Sequence, residues 1–256
     1  MPPGHTSLHW FRKDLRLHDN PSLRECVRNS KVFYGVYFLE RGEEKGTSVS
    51  PNRWEFLLQS LRDLDKSLSQ CGSRLFVVRG KPTEMLPYLF KKWDVTRLSF
   101  ELDCEPYSET RDAVVSCLAK EAGIEVISRV SHTLYDPKAL FRSTRGKVPL
   151  LFDEFKEVIL QEGRPEMPVP RVDSKLFGPC VTPVGRDHDQ QYGVPTLDDM
   201  SFGKASATCS GLYPGGEQLA LVRMEAALQE VMGFLEFFLT CQTKVWSISH
   251  PLTCMG

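Results

Sequence analysis

Hydrophobic positions in residues 7–130 form two kinds of pattern: short apolar runs, and longer stretches in which apolar residues recur every three or four positions. The short runs predict β-strands and the longer stretches predict helices. The strand candidates are SLHWF, KVFYGVYFL, RLFVVRG, RLSFEL and IEVISRV. The third has four consecutive apolar residues, which is typical of a strand covered on both faces. The alternation predicts an α/β fold with a five-stranded, doubly wound parallel sheet and helices on both of its faces.

The most regular helical pattern lies in residues 52–70, where one apolar stripe is formed by Trp54, Leu57, Leu58, Leu61, Leu64 and Leu68. Charged residues lie opposite the stripe, as in a helix that packs one face on a core. Helix starts are indicated elsewhere by Asn20 followed by Pro21. Thr83 and Ser108 are candidate caps for two further helices.

The alternation stops after residue 131. Residues 163–215 are rich in proline and glycine, which predicts an ordered linker draped over the domain, with disorder as the alternative. Residues 217–240 resume a helical pattern that ends in the apolar run VMGFLEFFLTC. The sequence therefore predicts three parts: a sheet domain at 5–132, an extension and linker at 133–216, and a short helical remnant with a divergent tail at 217–256.

Composition and charge narrow the classes of function. With 32 basic and 33 acidic residues the net charge is −1, so no overall positive field attracts nucleic acid or an anionic membrane. The eight cysteines have no metal-binding spacing and are typical of reduced thiols in an intracellular protein. No signal peptide or membrane-spanning run is visible, so we predict a location in the cytoplasm and nucleus without membrane association.

The first strand runs into the charged segment RKDLRLHD, which contains no glycine. A dinucleotide-binding site would place glycines at this point, so the segment argues against that class. Arg12, Lys13 and Arg16 could bind an anionic ligand. Alternatively, Arg12 and Arg16 pair with Asp14 and Asp19 and hold the turn, and the balanced charge of the segment favours this interpretation.

The loop after the fourth strand, ELDCEPYSETRD, carries a second group of polar residues. Asp103, Glu105 and Arg111 lie close to Tyr107, and such a group at the carboxyl edge of a sheet could line a pocket. Tyr107 would then offer a stacking surface, with Arg111 or Glu105 as the polar anchor. The alternative is that Ser108 caps the next helix. The two interpretations are compatible.

Other motifs carry little chemistry. The segment ERGEEKGTSVS lacks the spacing of a phosphate-binding loop and predicts a surface loop. His132 stands without a nucleophile motif such as Gly-x-Ser-x-Gly, and a lone histidine is more often structural. Neither feature indicates a hydrolase.

Several longer segments match one protein family in that family's order: HWFRKDLRLHDNPSL, NRWEFLLQSLRDLD, SRLFVVRGKPTEMLPYLFKKW, DCEPYSETRD, VISRVSHTLYDP, PEMPVP, DHDQQYGVPTLDDM and YPGGE. Over residues 5–230 the chain resembles the N-terminal part of the cryptochrome and photolyase family. It is most similar to the branch of animal cryptochromes and six-four photolyases. The resemblance implies a Rossmann-like α/β domain, an interdomain linker and then a large helical domain that holds FAD.

The resemblance also implies two kinds of activity. Family members repair ultraviolet lesions in DNA with light, or serve as blue-light receptors and circadian transcriptional repressors. The α/β groove holds a folate or deazaflavin antenna in microbial photolyases, and it docks clock transcription factors in animal cryptochromes. Carried onto this sequence, the groove positions are Arg12, Glu105, Tyr107, Ser108 and Arg111. The partner loop at the groove edge contains Gly42, Gly46, Ser48 and Ser50.

Three departures from the family pattern stand out. Ser108 occupies a position where cryptochromes usually have glycine, and the segment EEKGTSVSP differs from the usual partner loop. After YPGGE only a short echo of the helical domain follows. We therefore expect a truncated or alternatively spliced member, or an incomplete gene model, that lacks the FAD pocket and has no catalysis of its own.

Three hypotheses follow from the sequence. The first is a cryptochrome-like binding module that engages clock or signalling proteins through the α/β groove. The second is a fragment of a light-driven photolyase, whose DNA partner would require a complete homologue. The third is a small-nucleotide binder related to universal-stress or electron-transfer flavoproteins, which the missing glycine-rich loop disfavours.

Overall fold

The computed structural model describes residues 4–40, 50–200 and 213–232. Its core is one sheet of five parallel strands in the spatial order β3-β2-β1-β4-β5. The strands are β1 (His5–Phe11), β2 (Ser30–Leu39), β3 (Leu75–Arg79), β4 (Arg97–Leu102) and β5 (Glu125–Val130). The predicted doubly wound parallel sheet is confirmed.

The strand order places β1 at the centre of the sheet. Leu8 lies opposite Tyr34 of β2 on one side and opposite Leu98 of β4 on the other. The chain builds β2 and β3 to one side of β1 and then crosses to build β4 and β5 on the other side. Loops that leave the carboxyl ends of β1 and β4 therefore diverge, which opens a crevice where α/β sheets commonly bind ligands.

Helices connect the strands and continue through the linker. They are α1 (Pro21–Val27), α2 (Pro51–Gln70), α3 (Pro82–Lys92), α4 (Pro106–Glu121), α5 (Pro137–Ser143), α6 (Phe152–Glu162), α7 (Ser174–Phe177), α8 (His188–Tyr192) and a helix at 217–232, here α9. The first five begin with proline, whose fixed φ and missing N–H suit the first helical position.

Two of the three predicted N-caps are wrong, because a proline begins the helix upstream of each of them. The Asn20 cap is confirmed, because its side chain accepts a hydrogen bond from the Leu23 amide at 2.9 Å. Thr83 and Ser108 are not caps: α3 begins one residue before Thr83 and α4 begins two residues before Ser108, each at a proline. The proline fixes the helix start upstream of the polar residue that the sequence pattern favours.

Each face of the sheet carries its own hydrophobic core. On one face α3 and α4 cover Leu8, Trp10 and Phe100. On the other face α1 and α2 pack with Phe11 and Phe33. Successive residues of β1 alternate between the two cores, as the pleat of a strand requires. The stripe predicted on α2 contributes the buried residues Leu58, Leu61, Leu64 and Leu68.

The described part of the linker packs on the sheet domain, in agreement with the prediction of an ordered linker. Val172 and Phe177 are buried in the core on the α1 and α2 face. Val181 forms a parallel bridge with Val32 at the start of β2.

The division into parts at residues 132 and 216 stays a prediction, and residues 233–256 of the predicted tail lie outside the described residues. Within the described ranges, none of the helices combines the length and the apolar character needed to cross a bilayer.

Candidate functional site

A groove of about 1320 Å³ lies at the carboxyl edge of the sheet, where the loops after β1 and β4 diverge. Its floor comes from β1 and the loop that follows. Its walls come from the start of α2, from α4 and from α9. The lining includes Trp10, Arg12, Lys13, Arg16, Tyr37, Trp54, Phe56, Leu57, Ser108, Arg111, Glu217, Leu221 and Met224. The groove therefore occupies the position that the topology favours for binding.

Arg12 pairs with a residue that the sequence analysis did not consider. Its Nη1 donates to both carboxylate oxygens of Asp112, each at 2.7 Å, and both side chains are buried. The predicted pairing of Arg12 with Asp14 or Asp19 is wrong, because the β1 backbone directs Arg12 towards α4. The guanidinium also lies 5.0 Å from the Trp10 ring centre and 5.2 Å from that of Phe100. Arg12 thus joins β1 to α4 beneath the groove.

Arg111 approaches the same indole from α4. Its guanidinium carbon lies 4.8 Å from the Trp10 ring centre, and its Nε and Nη2 each lie 3.3 Å from Asp112. Tyr107 is 58% exposed and lies 5.7 Å from the same guanidinium. Tyr107 therefore offers an open ring beside the groove, although it does not line the cavity itself.

Lys13 links the loop after β1 to the loop after β4. Its Nζ lies 2.9 Å from Asp103 and 2.7 Å from Glu105. Burial alone would raise the pKa of Asp103, but hydrogen bonds from Lys13, the Glu105 amide and Ser108 outweigh it and hold that pKa at about 2. Ser108 is buried and serves this carboxylate from inside the first turn of α4.

Arg16 behaves as the sequence predicts. Its Nη2 lies 3.4 Å from Asp14 and 3.8 Å from Asp19, and it also donates to the carbonyl oxygens of Asp19 and Ser131. Each of the three cations after β1 consequently has an anionic partner within the chain. The groove offers no cluster of unpaired cations from this loop.

Of the four residues predicted for the partner loop, the structure describes Ser50. Gly42, Gly46 and Ser48 lie outside the described residues. Ser50 is the N-cap of α2, where its side chain accepts from the Arg53 amide at 3.4 Å. Ser50 thus has a structural role at the edge of the groove.

Sequence reasoning missed a second polar cluster, formed by Asp14, Glu101 and His132. They follow or end β1, β4 and β5, which are neighbours in the sheet. Nδ1 of His132 lies 3.0 Å from Asp14 Oδ2, and Nε2 lies 3.6 Å from Glu101 Oε2. Each residue offers one ligand atom, and these atoms lie within 4.8 Å of one another. The signal was available: three ionisable residues stand at the carboxyl ends of three predicted parallel strands.

A second cavity, of about 310 Å³, lies beside this cluster. It is bounded by the loops after β4 and β5 and by α5. Leu102, Val130 and Phe141 supply apolar walls, and His132 and Asp103 lie on the side towards the groove. Asp103 lines both cavities, so the second cavity and the groove share this side chain.

Comparison with protein families finds a match to the model of the DNA photolyase family over residues 7–171. Cryptochrome-1 of Mus musculus is 45% identical over 226 residues, which cover 88% of this chain and 37% of the relative. Cryptochrome-2 of Gallus gallus is 43% identical over 223 residues, which cover 87% and 38%. The chain thus spans well under half the length of these curated relatives.

Solved structures agree on the fold. A bacterial class III photolyase from Agrobacterium tumefaciens superposes with a TM-score of 0.69 at 22% identity, covering 87% of this chain and 44% of that one. An archaeal photolyase from Sulfolobus tokodaii, described with two FAD molecules, gives 0.63 at 24% identity, covering 84% and 45%. At these identities the likeness concerns the fold alone.

Proposed function

We propose that this chain, which belongs to the cryptochrome and DNA photolyase family, acts as a protein-binding module of the cryptochrome type. The groove at the carboxyl edge of the sheet is its binding surface. Its partners are clock or signalling proteins, and it acts in blue-light signalling or circadian transcriptional repression in the cytoplasm and nucleus. The 45% identity with mouse cryptochrome-1 supports this choice within the family.

One observation carries the proposal: the groove combines internally paired charges with an exposed apolar rim. Phe56 on α2 is 50% exposed and Met224 on α9 is 54% exposed, and both line the groove together with Leu57 and Leu221. A groove with exposed apolar side chains around a polar floor is suited to bind a segment of another protein. Side chains of that segment would fill the groove, while the edge of the interface would remain in contact with solvent.

The paired cations of the loop after β1 also affect which cofactors this loop could bind. FAD carries a pyrophosphate, which needs cations or a cradle of backbone N–H groups. Arg12, Lys13 and Arg16 are held by carboxylates of the chain, and the loop after β1 has no glycine, so this loop does not provide a pyrophosphate site. A folate or deazaflavin antenna in the groove stays a prediction.

The alternative is that the chain serves as the α/β part of a light-driven photolyase. The match to the DNA photolyase model and the fold of photolyase structures favour it. Lesion binding would require cations for DNA phosphates, and those of the first loop are already paired. Retained flavin and lesion repair by the purified chain would support this alternative.

Binding can be tested with an immobilised clock transcription factor that binds mouse cryptochrome-1. We expect the chain to bind it in surface plasmon resonance. Phe56→Asp and Met224→Asp place a charge on the apolar rim and should each weaken binding by about tenfold or more, the loss expected for a central interface residue.

The matched control is Val114→Asp, which adds the same charge at a side chain that is 45% exposed on α4 and does not line the groove. It should leave the affinity unchanged. Equal binding by all three variants, or no binding by the unsubstituted chain, would contradict the proposal. Circular dichroism of each variant confirms that the fold is retained.

A further inference from the structure

The second cavity, of about 310 Å³, has no role in the proposed docking surface. One wall is the pair Leu102 and Val130, which lie opposite each other at the last register position of β4 and β5. Pro137 and Phe141 line the cavity from α5. Apolar side chains from the end of a sheet and from a helix therefore enclose one hollow, which is a common construction of small-molecule sites.

Three polar contacts position the start of α5 beside the cavity. The Asp136 side chain accepts from the Lys138 amide at 2.9 Å, and Lys138 Nζ lies 2.9 Å from Glu109 on α4. The Tyr135 hydroxyl donates to the Gly163 carbonyl oxygen at 2.7 Å. These contacts connect α5 to α4 and to the segment that follows α6. The cavity is thus formed by the chain itself, so a ligand can enter it without the cost of ordering the walls.

The size and the walls of the cavity limit what it can hold. Its volume corresponds to about ten water molecules and lies at the lower end of the range of ligand pockets. Phe141 is 51% exposed and Leu102 is 36% exposed, so water in the cavity lies against apolar surface. Replacement of such poorly bonded water by an apolar molecule is favourable. The space suits a molecule of one or two fused rings.

The charged residues that line the cavity are paired within the chain. Nζ of Lys13 lies 2.9 Å from Asp103, and Nη2 of Arg142 lies 3.8 Å from Asp136. The contact between α4 and α5 given above is the third such pair. His132 also lines the cavity, and its two ring nitrogens lie 3.0 and 3.6 Å from carboxylate oxygens. A charged ligand would lose hydration without gaining an unpaired counter-charge, which favours a neutral one.

We propose that the second cavity is a binding site for a neutral, planar aromatic molecule of one or two fused rings. The ligand packs on Leu102 and Val130, and it makes a stacked or edge-on contact with the ring of Phe141. The cavity is distinct from the groove, although the two share Asp103. The proposal therefore does not depend on any docking partner.

The test is a titration of the full chain with indole, a neutral molecule of two fused rings, followed by NMR of methyl groups. We expect shifts at the methyl groups of Leu102 and Val130, with a dissociation constant below about 1 mM. Indole-3-acetate and tryptamine carry the same rings with a negative and a positive charge. Each should bind at least about fivefold more weakly than indole, because the charged group loses hydration.

Two substitutions at exposed lining positions test the site without disturbing the core. Phe141→Ala removes the aromatic wall and should weaken indole binding by about fivefold or more. Cys104→Trp places a bulky ring at an exposed lining residue and should weaken it as well. The matched control is Phe152→Ala, which makes the same change at a side chain that is 74% exposed on α6 and does not line the cavity. It should leave the affinity unchanged.

Three results would overturn the proposal. The first is the absence of methyl shifts at Leu102 and Val130, or equal shifts at the exposed apolar side chains of α6, which would show non-specific association. The second is an equal effect of Phe141→Ala and Phe152→Ala. The third is tighter binding of either charged derivative, because the cavity would then select an ion.

Discussion

At the scale of single residues, Asp112 is the most consequential buried charge beneath the groove. Its carboxylate accepts from Arg12 and Arg111, and both guanidiniums lie over the ring of Trp10. The side chains of Asp112 and Arg12 are 9% and 5% exposed. Removal of the anion would leave a buried cation without compensation, which costs far more than the net contribution of an intact pair.

We expect Asp112→Ala to lower the free energy of unfolding by about 3–5 kcal/mol, the cost of breaking a buried pair. Urea denaturation at neutral pH measures the change. Glu109→Ala is the control on the same helix, because its partner Lys138 is largely exposed and loss of that pair should cost below about 1 kcal/mol. Similar losses for the two variants would show that the pair with Arg12 has no special weight.

The charged contacts near the groove also show which roles of individual residues can be predicted from the sequence. The motif RKDLRLHD correctly indicates a charged turn held by internal pairs, since Arg16 meets Asp14 and Asp19. It cannot show that Arg12 reaches Asp112, a residue 100 positions away, because that contact depends on how α4 packs across β1. His132 is isolated in sequence and becomes part of a cluster only when the strands align.

At the scale of elements, the start of α9 is attached to two parts of the sheet domain. Glu217 accepts from the amides of Leu17 and His18, and also contacts His18 Nδ1 at 3.0 Å. The Gly215 amide donates to Gln59 on α2. A Cβ at Gly215 would lie 2.2 Å from the Phe56 carbonyl oxygen, so only glycine permits this approach. The segment YPGGE is therefore a docking turn.

Glu217→Ala tests this attachment. We expect a loss of about 1–3 kcal/mol in the free energy of unfolding, because the substitution leaves backbone donors in the loop after β1 without a partner. Amide exchange at Leu17 and His18 should accelerate. Glu225→Ala, at an exposed position of the same helix, should change neither quantity. Unchanged exchange in the Glu217 variant would indicate that other contacts fix α9.

Elements were the level at which the sequence was most informative. Periodicity located all five strands, and it located α2 because its stripe packs directly on the core. It misplaced the starts of α3 and α4, where Pro82 and Pro106 precede the polar residues chosen as caps. A polar side chain can act as an N-cap only if it precedes the first helical residue. The local sequence pattern does not show that the helix already begins at the preceding proline.

At the scale of the whole molecule, the linker contributes buried side chains to the hydrophobic core of the sheet domain that it follows. Phe177 packs edge-on against Phe33 with ring centres 5.1 Å apart, and Val172 is fully buried. His188 Nε2 donates to the carbonyl oxygen of Leu75 on β3 at 3.1 Å, and its ring packs edge-on against Phe76. The sequence predicts an ordered linker draped over the domain, but it does not show which of the linker's side chains are buried.

A fragment of residues 1–132 should consequently be less stable than one of residues 1–200. The shorter fragment loses the burial of Val172 and Phe177, which contribute about 1.5–3 kcal/mol each, and exposes their sites on the sheet face. Thermal unfolding followed by circular dichroism compares the two fragments. Equal melting temperatures would mean that the sheet domain folds without help from the linker.

The hydrogen bond between Glu217 and the Leu17 amide joins positions 200 residues apart. Closing so long a loop is entropically unfavourable until the intervening chain is compact, so such a contact forms late in folding. Interactions that form after the rate-limiting step affect the unfolding rate more than the folding rate. The glutamate of YPGGE therefore governs how long the native state persists once formed, and contributes little to how fast it is reached.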